Sequence, residues 1–215
     1  MTRRQARSPV LRLAGKPARP AHVLQFLVAL TETDPLVWRR IQVPDHYTFW
    51  DLHVAIQDAM GWHDSHLHEF VLHRSRTGRE ELIGLPDPDF PNQRPVRAGW
   101  KVRVAEYMSE EAPVALYLYD FGDDWRHTVT YEGSQPAERG RKYPVCLAGA
   151  QACPPEDVGG TPGFCAFLEA IGDANHPEHA EYLTWVGGRY DPEAFDPSAV
   201  RFADPRERLK RAFEE

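Results

Sequence analysis

The nine residues from Tyr119 to His127 hold the side chains of this chain that are best suited to chemistry. The run reads YDFGDDWRH and combines three carboxylates, a glycine, aromatic rings and a histidine directly after an apolar segment. A fold alone does not require so many polar groups at the end of an apolar strand, so the run predicts a binding site. Its candidate ligand-binding residues are Asp120, Asp123, Asp124, Trp125 and His127.

A second cluster surrounds His66 and His68. If this segment is a strand, both imidazoles point to one face about 6.6 Å apart along the chain and can share a metal ion. The candidate ligands for a divalent metal cofactor are then His66, His68, His127 and Asp123. The alternative is that the two histidines are ordinary polar residues and that Asp123 and Asp124 stabilise a tight turn.

The third cluster is a loop in which two prolines precede Glu156 and Asp157 and two glycines follow them. Such a loop can present two carboxylates to a ligand. It can equally place negative charge near the start of a helix at Thr161, where the helix dipole favours it.

Hydrophobic periodicity indicates the elements that must position these clusters. Thr48 and Asp51 form a capping pattern, and Gly61 is placed to end a helix over 48–60. Short breaks favour antiparallel pairing of the first two strands and of the last two. Strands are predicted at 23–32, 37–43, 66–73, 100–107, 114–119 and 125–132, a long loop at 74–97, and short helices after 161.

This order predicts an α+β fold with a mostly antiparallel sheet, a β-grasp-like ββαβ core and C-terminal short helices packed on it. We predict one domain at 22–202, a C-terminal helix at 203–215, and a disordered basic leader at 1–21, which contains three prolines.

Composition limits the function classes. The 215 residues are 42% hydrophobic, which suits one globular core, and no apolar run approaches the roughly 20 residues of a membrane span. Three cysteines and no secretory leader predict a reducing cytoplasm. Cys146 and Cys153 are spaced more widely than the usual zinc knuckle, so they are either zinc ligands or buried free thiols.

Charge is distributed unevenly. Residues 1–21 hold six basic side chains and no acidic one, whereas the rest holds 19 basic and 32 acidic side chains, a formal charge of −13. An acidic body repels phosphate, so we predict that nucleic acid does not bind it and could bind only the basic leader.

Five segments occur in a fixed order: PLVWRR at 35–40, LHVAIQDAMGW at 52–62, HLHEF at 66–70, YDFGDDWRH at 119–127 and CPPEDVGG at 153–160. Together they resemble the plasmid pRiA4b ORF-3-like family, which includes TnpR-like passenger proteins of insertion elements. The resemblance covers about Val23 to Phe195. It implies an α+β fold with a β-grasp-like core and an association with plasmids and transposons, but no reaction. No serine-recombinase pattern accompanies the TnpR label.

Two hypotheses follow. The first is a cytoplasmic, mobile-element-associated accessory or binding protein whose cleft receives an unknown protein or small molecule. Trp62, Trp125 and Trp185 would wall this cleft or lie in the core. The alternative is a metal-dependent hydrolase that uses the metal ligands above, with Glu156 or Asp157 as base. The full candidate set is His66, His68, Asp120, Asp123, Asp124, Trp125, His127, Glu156 and Asp157.

Overall fold

The computed structural model describes residues 20–74, 79–86 and 95–214. The predicted disordered leader therefore lies outside the described residues except for its last two positions. In the described ranges the main elements are β1 (His22–Leu30), β2 (Trp38–Pro44), α1 (Phe49–Met60), β3 (His68–Arg74), β4 (Arg79–Gly84), β5 (Val96–Ala98), β6 (Val114–Tyr119), β7 (Trp125–Pro136), β8 (Val145–Ala150), α2 (Gly160–Gly172), α3 (His179–Trp185) and α4 (Pro205–Glu214).

These eight strands form one sheet in the order β5–β4–β3–β6–β7–β1–β2–β8. Neighbouring strands are antiparallel except β4 and β5, which run parallel. The predicted β1–β2 and β6–β7 pairs are confirmed, and β1 lies inside the sheet between β7 and β2. The α+β class with a mostly antiparallel sheet is therefore confirmed.

Helix α1 forms where the capping pattern predicted it. The Thr48 side chain accepts a hydrogen bond from the backbone N–H of Asp51, whose carboxylate accepts one from the Thr48 backbone. Gly61 ends the helix at φ 94°, a left-handed conformation that glycine adopts without a steric penalty. The apolar face of the helix packs into the main core, with the rings of Phe49 and Phe70 5.0 Å apart.

The predicted strand at 100–107 is wrong: the segment forms short 3₁₀ turns at Gly99–Lys101 and Val104–Glu106. Its backbone groups pair with the start of α1 instead of a neighbouring strand. Phe49 donates its backbone N–H to the carbonyl of Val102 at 3.0 Å, and Val104 donates to Tyr47 at 3.0 Å.

The sheet also extends where the sequence suggested irregular chain. Strands β4 and β5 lie in the predicted loop at 74–97, and β8 was not predicted. Leu82 and Ile83 of β4 are buried, so tertiary packing overrides the turn-like composition around them. Strand β3 begins at His68, two residues later than predicted.

The C-terminal helix α4 packs against α1. Leu209 joins Trp50 and Val54 in a small apolar cluster, and the Trp50 indole donates to the carbonyl of Pro205 at 2.8 Å. Arg208 forms an ion pair with Asp58 at 2.7 Å. These contacts cover a second face of α1 and thus help to fix the position of its C-terminal end.

Arg39 is a cation inside the core, with 1% of its surface exposed. Its Nε donates to the carbonyl of Ala59 at 2.9 Å, and its Nη1 donates to the carbonyls of Trp38 and Ala150, both at 2.8 Å. The guanidinium carbon lies 3.7 Å from the centre of the Phe195 ring. One side chain therefore joins β2, the end of α1, β8 and the C-terminal segment.

Replacing Arg39 with methionine should lower the free energy of unfolding by about 2–4 kcal/mol, because buried carbonyls would lose their donors. The neighbouring Arg40→Met is the matched control. Arg40 pairs with Glu132 at the surface, where an ion pair contributes about 1 kcal/mol or less. Urea unfolding of both variants measures the difference, and equal losses would contradict a structural role for Arg39.

Candidate functional site

The turn between β6 and β7 packs directly on the start of α2. The Asp123 carboxylate accepts the backbone N–H of Gly159 at 3.1 Å. Gly160 lies so close that a Cβ atom there would come within 2.4 Å of the Asp123 carbonyl oxygen. This approach brings the 119–127 and 153–160 motifs together.

Tyr119, at the end of β6, connects these motifs to the segment after α1. Its hydroxyl donates to Glu156 at 2.5 Å and accepts the backbone N–H of Ser65 at 3.0 Å. The other Glu156 oxygen accepts the backbone N–H of His63 at 3.1 Å. The Trp62 indole donates to the carbonyl of Pro154 at 2.9 Å and stacks on Tyr119. Three segments that are distant in sequence therefore meet in one place.

A cleft of about 550 Å³ opens at this junction. It lies between the end of α1, the loop before α2 and the segment after α3. The described residues that line it are Met60, Gly61, Trp62, His63, Ser65, Cys153, Pro154, Pro155, Glu156, Asp157, Trp185, Val186 and Tyr190.

A second cavity of about 330 Å³ adjoins the cleft and shares Asp157 and Trp185 with it. Its lining adds Glu178 and Glu181, so three carboxylates surround an exposed indole. Among the described residues that line the two cavities there is no lysine or arginine. The combined surface is acidic and aromatic.

His66, Asp120 and Asp157 converge beside the cleft. The Nε2 atom of His66 lies 3.1 Å from a carboxylate oxygen of Asp157 and 3.5 Å from one of Asp120. Their nearest donor atoms all lie within 4.8 Å of one another, which is close enough for one ion. His66 lies in the segment before β3, Asp120 in the turn after β6, and Asp157 in the loop before α2.

A hydrogen-bonded chain runs between α1 and the sheet. The Gln57 side-chain amide donates to the Tyr117 hydroxyl oxygen at 2.9 Å. The hydroxyl proton of Tyr117 is then free to be donated to Nδ1 of His53 at 2.8 Å. His53 in turn donates from Nε2 to Asp64 at 2.7 Å. Burial lowers the pKa of His53 well below the ordinary imidazole value and raises the pKa of Asp64 to about 6. The imidazole is therefore neutral when Asp64 is ionised.

His68 stacks on His53 with ring centres 3.4 Å apart and planes 7° from parallel. Burial also lowers its pKa well below the ordinary value. His53, Asp64 and His68 form the other group with donor atoms close together. The nitrogen lone pairs lie in the two nearly parallel ring planes, so they do not converge on one point. This stack therefore suits packing better than metal binding.

The other candidates divide between core and surface. Trp125 and His127 are buried under the Trp62 ring, and burial lowers the pKa of His127 to about 4. Asp124 lies at the surface and pairs with Arg126 at 2.6 Å. In the described part of the chain, His66 lies together with Asp120 and Asp157, whereas His68 lies with His53 and Asp64. The alternation argument does not apply to His66, because it lies before β3.

Sequence reasoning missed His53, Tyr119 and the acidic residues at the start of α3. A signal existed for His53 and for the acidic residues. His53 and Gln57 are four residues apart in α1, so they share a helix face. Glu178, Glu181 and Trp185 follow the same spacing around α3.

The cysteines are free thiols. Cys146 is buried, and burial raises the pKa of Cys153 to about 12, whereas Cys165 is exposed on α2. The free-thiol alternative therefore agrees with the structure, and the predicted role of Cys146 and Cys153 in zinc binding has no further support.

Comparison with known proteins gives consistent matches. The model of the family described as Plasmid pRiA4b ORF-3-like protein matches residues 22–199. The uncharacterized protein y4hQ of Sinorhizobium fredii is 37% identical over 183 residues, which is 85% of this chain and 88% of that protein. The crystal structure of MM3350 of Methanosarcina mazei Go1, a protein of unknown function, has a TM-score of 0.79 at 41% identity, covering 86% of this chain and 100% of that one.

Replacing Gly163 with alanine should disrupt the loop that carries Glu156 and Asp157. The new Cβ would lie 1.9 Å from the carbonyl oxygen of Val158, so the loop must move. We expect a loss of about 1–3 kcal/mol in unfolding free energy. Gly172→Ala in the same helix is the control, since its Cβ would meet no atom within 4 Å. Similar thermal unfolding of both variants would contradict this packing constraint.

A thiol reagent should modify one cysteine rapidly in the native protein and the other two only after unfolding. Cys146 is buried and Cys153 is half-buried at the cleft, and burial raises the pKa of both thiols. Both therefore stay protonated, whereas the thiolate is the reactive form. The Cys165→Ser variant should lose the rapid phase. Two or more rapid thiols in the native protein would contradict the observed burial.

Proposed function

The chain belongs to the plasmid pRiA4b ORF-3-like family, and we propose that it is a binding protein whose cleft receives a basic segment of a partner polypeptide. The observation that carries this proposal is the combination of an exposed tryptophan, Trp185, with three carboxylates around the smaller of the two adjoining cavities.

Trp185 supplies the aromatic surface. It is 48% exposed, although its ring packs edge-on against Phe167 and Tyr182. A large exposed ring held in place by other rings is suited to ligand contact, since it loses little further freedom on binding. An ammonium or guanidinium group over an indole gains about 0.5–2 kcal/mol from cation–π attraction.

Asp157, Glu178 and Glu181 supply the charge selectivity. All three are exposed at the same cavity, where a bound cation would relieve their mutual repulsion. Acidic side chains beside an aromatic ring favour a lysine or arginine side chain over a neutral one. The body of the protein reinforces this preference, because its formal charge of −13 attracts basic partners over longer distances.

The shape favours a polypeptide over a small ion. The two cavities, of about 550 Å³ and 330 Å³, share lining residues and together exceed the space that one side chain requires. Trp62 and Tyr190 also line the larger cleft. A short extended segment could therefore place one basic side chain at Trp185 and a neighbouring side chain in the larger cleft.

The association with plasmids or insertion elements stays a prediction, supported by the family description, which names plasmid pRiA4b.

A cytoplasmic location is also a proposal, supported by the free cysteines. Among the described residues, every helix is too short or too polar to cross a bilayer. The β-grasp-like core stays a prediction as well, supported by the chain order β1–β2–α1–β3.

A metal-dependent hydrolase is the second candidate function. The convergence of His66, Asp120 and Asp157 favours it, because an imidazole and two carboxylates can hold a metal beside a cleft. Glu156 is engaged by Tyr119 and the His63 backbone, so it would need to leave these partners to act as a base.

The binding proposal predicts that a short fluorescent peptide of alternating arginine and serine binds the full chain, whereas the matching glutamate peptide does not. Fluorescence anisotropy measures both. Affinity should fall as salt rises, because exposed charges are screened. Binding of both peptides with equal strength would overturn the proposal.

Substitutions in the cavity lining test where the peptide binds. Glu178→Gln combined with Glu181→Gln, and separately Trp185→Ala, should each weaken binding by roughly 3- to 30-fold. The exposed Glu193→Gln, outside both cavity linings, is the matched control and should bind as the wild type does. Unchanged affinity in the glutamine double variant would contradict the assigned surface, since these side chains make no core contact.

A further inference from the structure

We propose that His66, Asp120 and Asp157 bind one divalent metal ion at the rim of the cleft. This inference goes beyond the peptide-binding role, because it depends on His66 and Asp120, which that role does not use. The two proposals share only Asp157, and metal binding could hold if peptide binding failed. It also differs from the metal set expected from sequence, which combined His66 with His68, His127 and Asp123.

The distances fit three ligands of one ion. Two donor atoms that each lie about 2.1 Å from the same metal, at octahedral or tetrahedral angles, are roughly 3.0–3.4 Å apart. His66 Nε2 lies 3.1 Å from an Asp157 oxygen and 3.5 Å from an Asp120 oxygen. His66 therefore already lies at ligand spacing from both carboxylates, and all three donor atoms lie within 4.8 Å of one another.

The His66 nitrogen has no hydrogen-bond partner among the described residues, although two carboxylate oxygens are near. At 3.1 Å an Nε2–H group of His66 that pointed at the Asp157 oxygen would form a normal hydrogen bond. The oxygen must therefore lie to one side of the direction in which Nε2 points, which is also the direction of its lone pair in the other tautomer. Neighbouring ligands of a metal have this off-axis relation, because the ion and not the second ligand lies on the lone-pair axis. The buried, unpartnered Nε2 is thus an independent indication of a ligand.

The surroundings hold the donors in place. One oxygen of Asp120 accepts the backbone N–H groups of Gly122 and Asp123 at 2.9 and 3.3 Å, which turns the other oxygen toward His66. The His66 ring packs edge-on against Tyr119. Outer partners of this kind orient the ligands in metal sites.

The donor set indicates the class of metal. One imidazole with two carboxylates suits a divalent transition metal such as Mn²⁺ or Zn²⁺. Three protein ligands leave coordination positions for water or for a ligand group. Asp157 lies in the loop before α2 and Asp120 lies in the β6–β7 turn, so an ion bound to both would join the loop to the turn. Asp157 also lines the cleft.

The test uses the full chain without a histidine tag, stripped with a chelator and titrated with Zn²⁺ and with Mn²⁺ by calorimetry. We expect one equivalent of metal and a higher melting temperature when metal is present. His66→Gln, Asp120→Asn and Asp157→Asn should each weaken binding by at least about tenfold. Asparagine tolerates the positive φ of 56° and 60° at the two aspartates, and it keeps a carbonyl oxygen as acceptor.

His73→Gln is the matched control, since His73 is an exposed histidine of β3 outside the proposed set. It should bind metal as the wild type does. The metal-free variants should melt as the metal-free wild type does, which separates loss of ligation from loss of folding.

X-ray absorption of the zinc-loaded protein should show a single imidazole among oxygen ligands. A spectrum with two imidazoles would place the ion at His53 and His68 and overturn the proposal. Binding that is unchanged in His66→Gln, or less than one equivalent in the wild type, would overturn it too. The Glu178→Gln, Glu181→Gln variant keeps all three ligands, so it should bind metal while losing the peptide, and the two proposals can fail separately.

Discussion

The close approach of Gly160 to Asp123 is the contact on which the site depends. A side chain at Gly160 would collide with the Asp123 carbonyl, and the φ of 66° at this glycine is itself a left-handed conformation. The Asp123 carboxylate adds a hydrogen bond to Gly159. Together they fix the loop before α2 on the turn after β6. Without this approach, Glu156 would not reach Tyr119, nor Asp157 His66.

A polar layer under α1 supports the same region from inside. His53, His68 and His127 are fully buried, and burial keeps their imidazoles neutral. Neutral rings can stack and pack edge-on in a core where charged rings would repel one another. Their role is therefore to hold Tyr117, Trp62 and the strand ends in position. Arg208 of α4, which lies beyond the family match, approaches this layer at Asp64, the partner of His53, with a guanidinium nitrogen 3.8 Å from the carboxylate.

The two proposed binding surfaces thus lie at the rim of the cleft, and the buried polar layer supports them from inside. The acidic aromatic surface around Trp185 and the histidine–carboxylate group at His66 both adjoin the cleft and share Asp157. A ligand at either position would change the loop that serves the other. The relatives are proteins without an assigned activity, so the site geometry carries the functional argument.

The sequence by itself determined the family, the α+β class, helix α1 and the two hairpins, because these follow from local periodicity, caps and short turns. It also marked segments that the structure brings together, at 66–70, 119–127 and 153–160. It could not show that His66 and His68 belong to different groups. Their side chains point to one face only if both lie in the strand, and strand pairing, which starts β3 at His68, decides this. Strands β4, β5 and β8, and the turns that replaced the strand at 100–107, depended on partners far along the chain. Only the tertiary structure decided which side chains became buried supports and which met at the cleft, because burial and convergence are properties of packed segments and not of spacing.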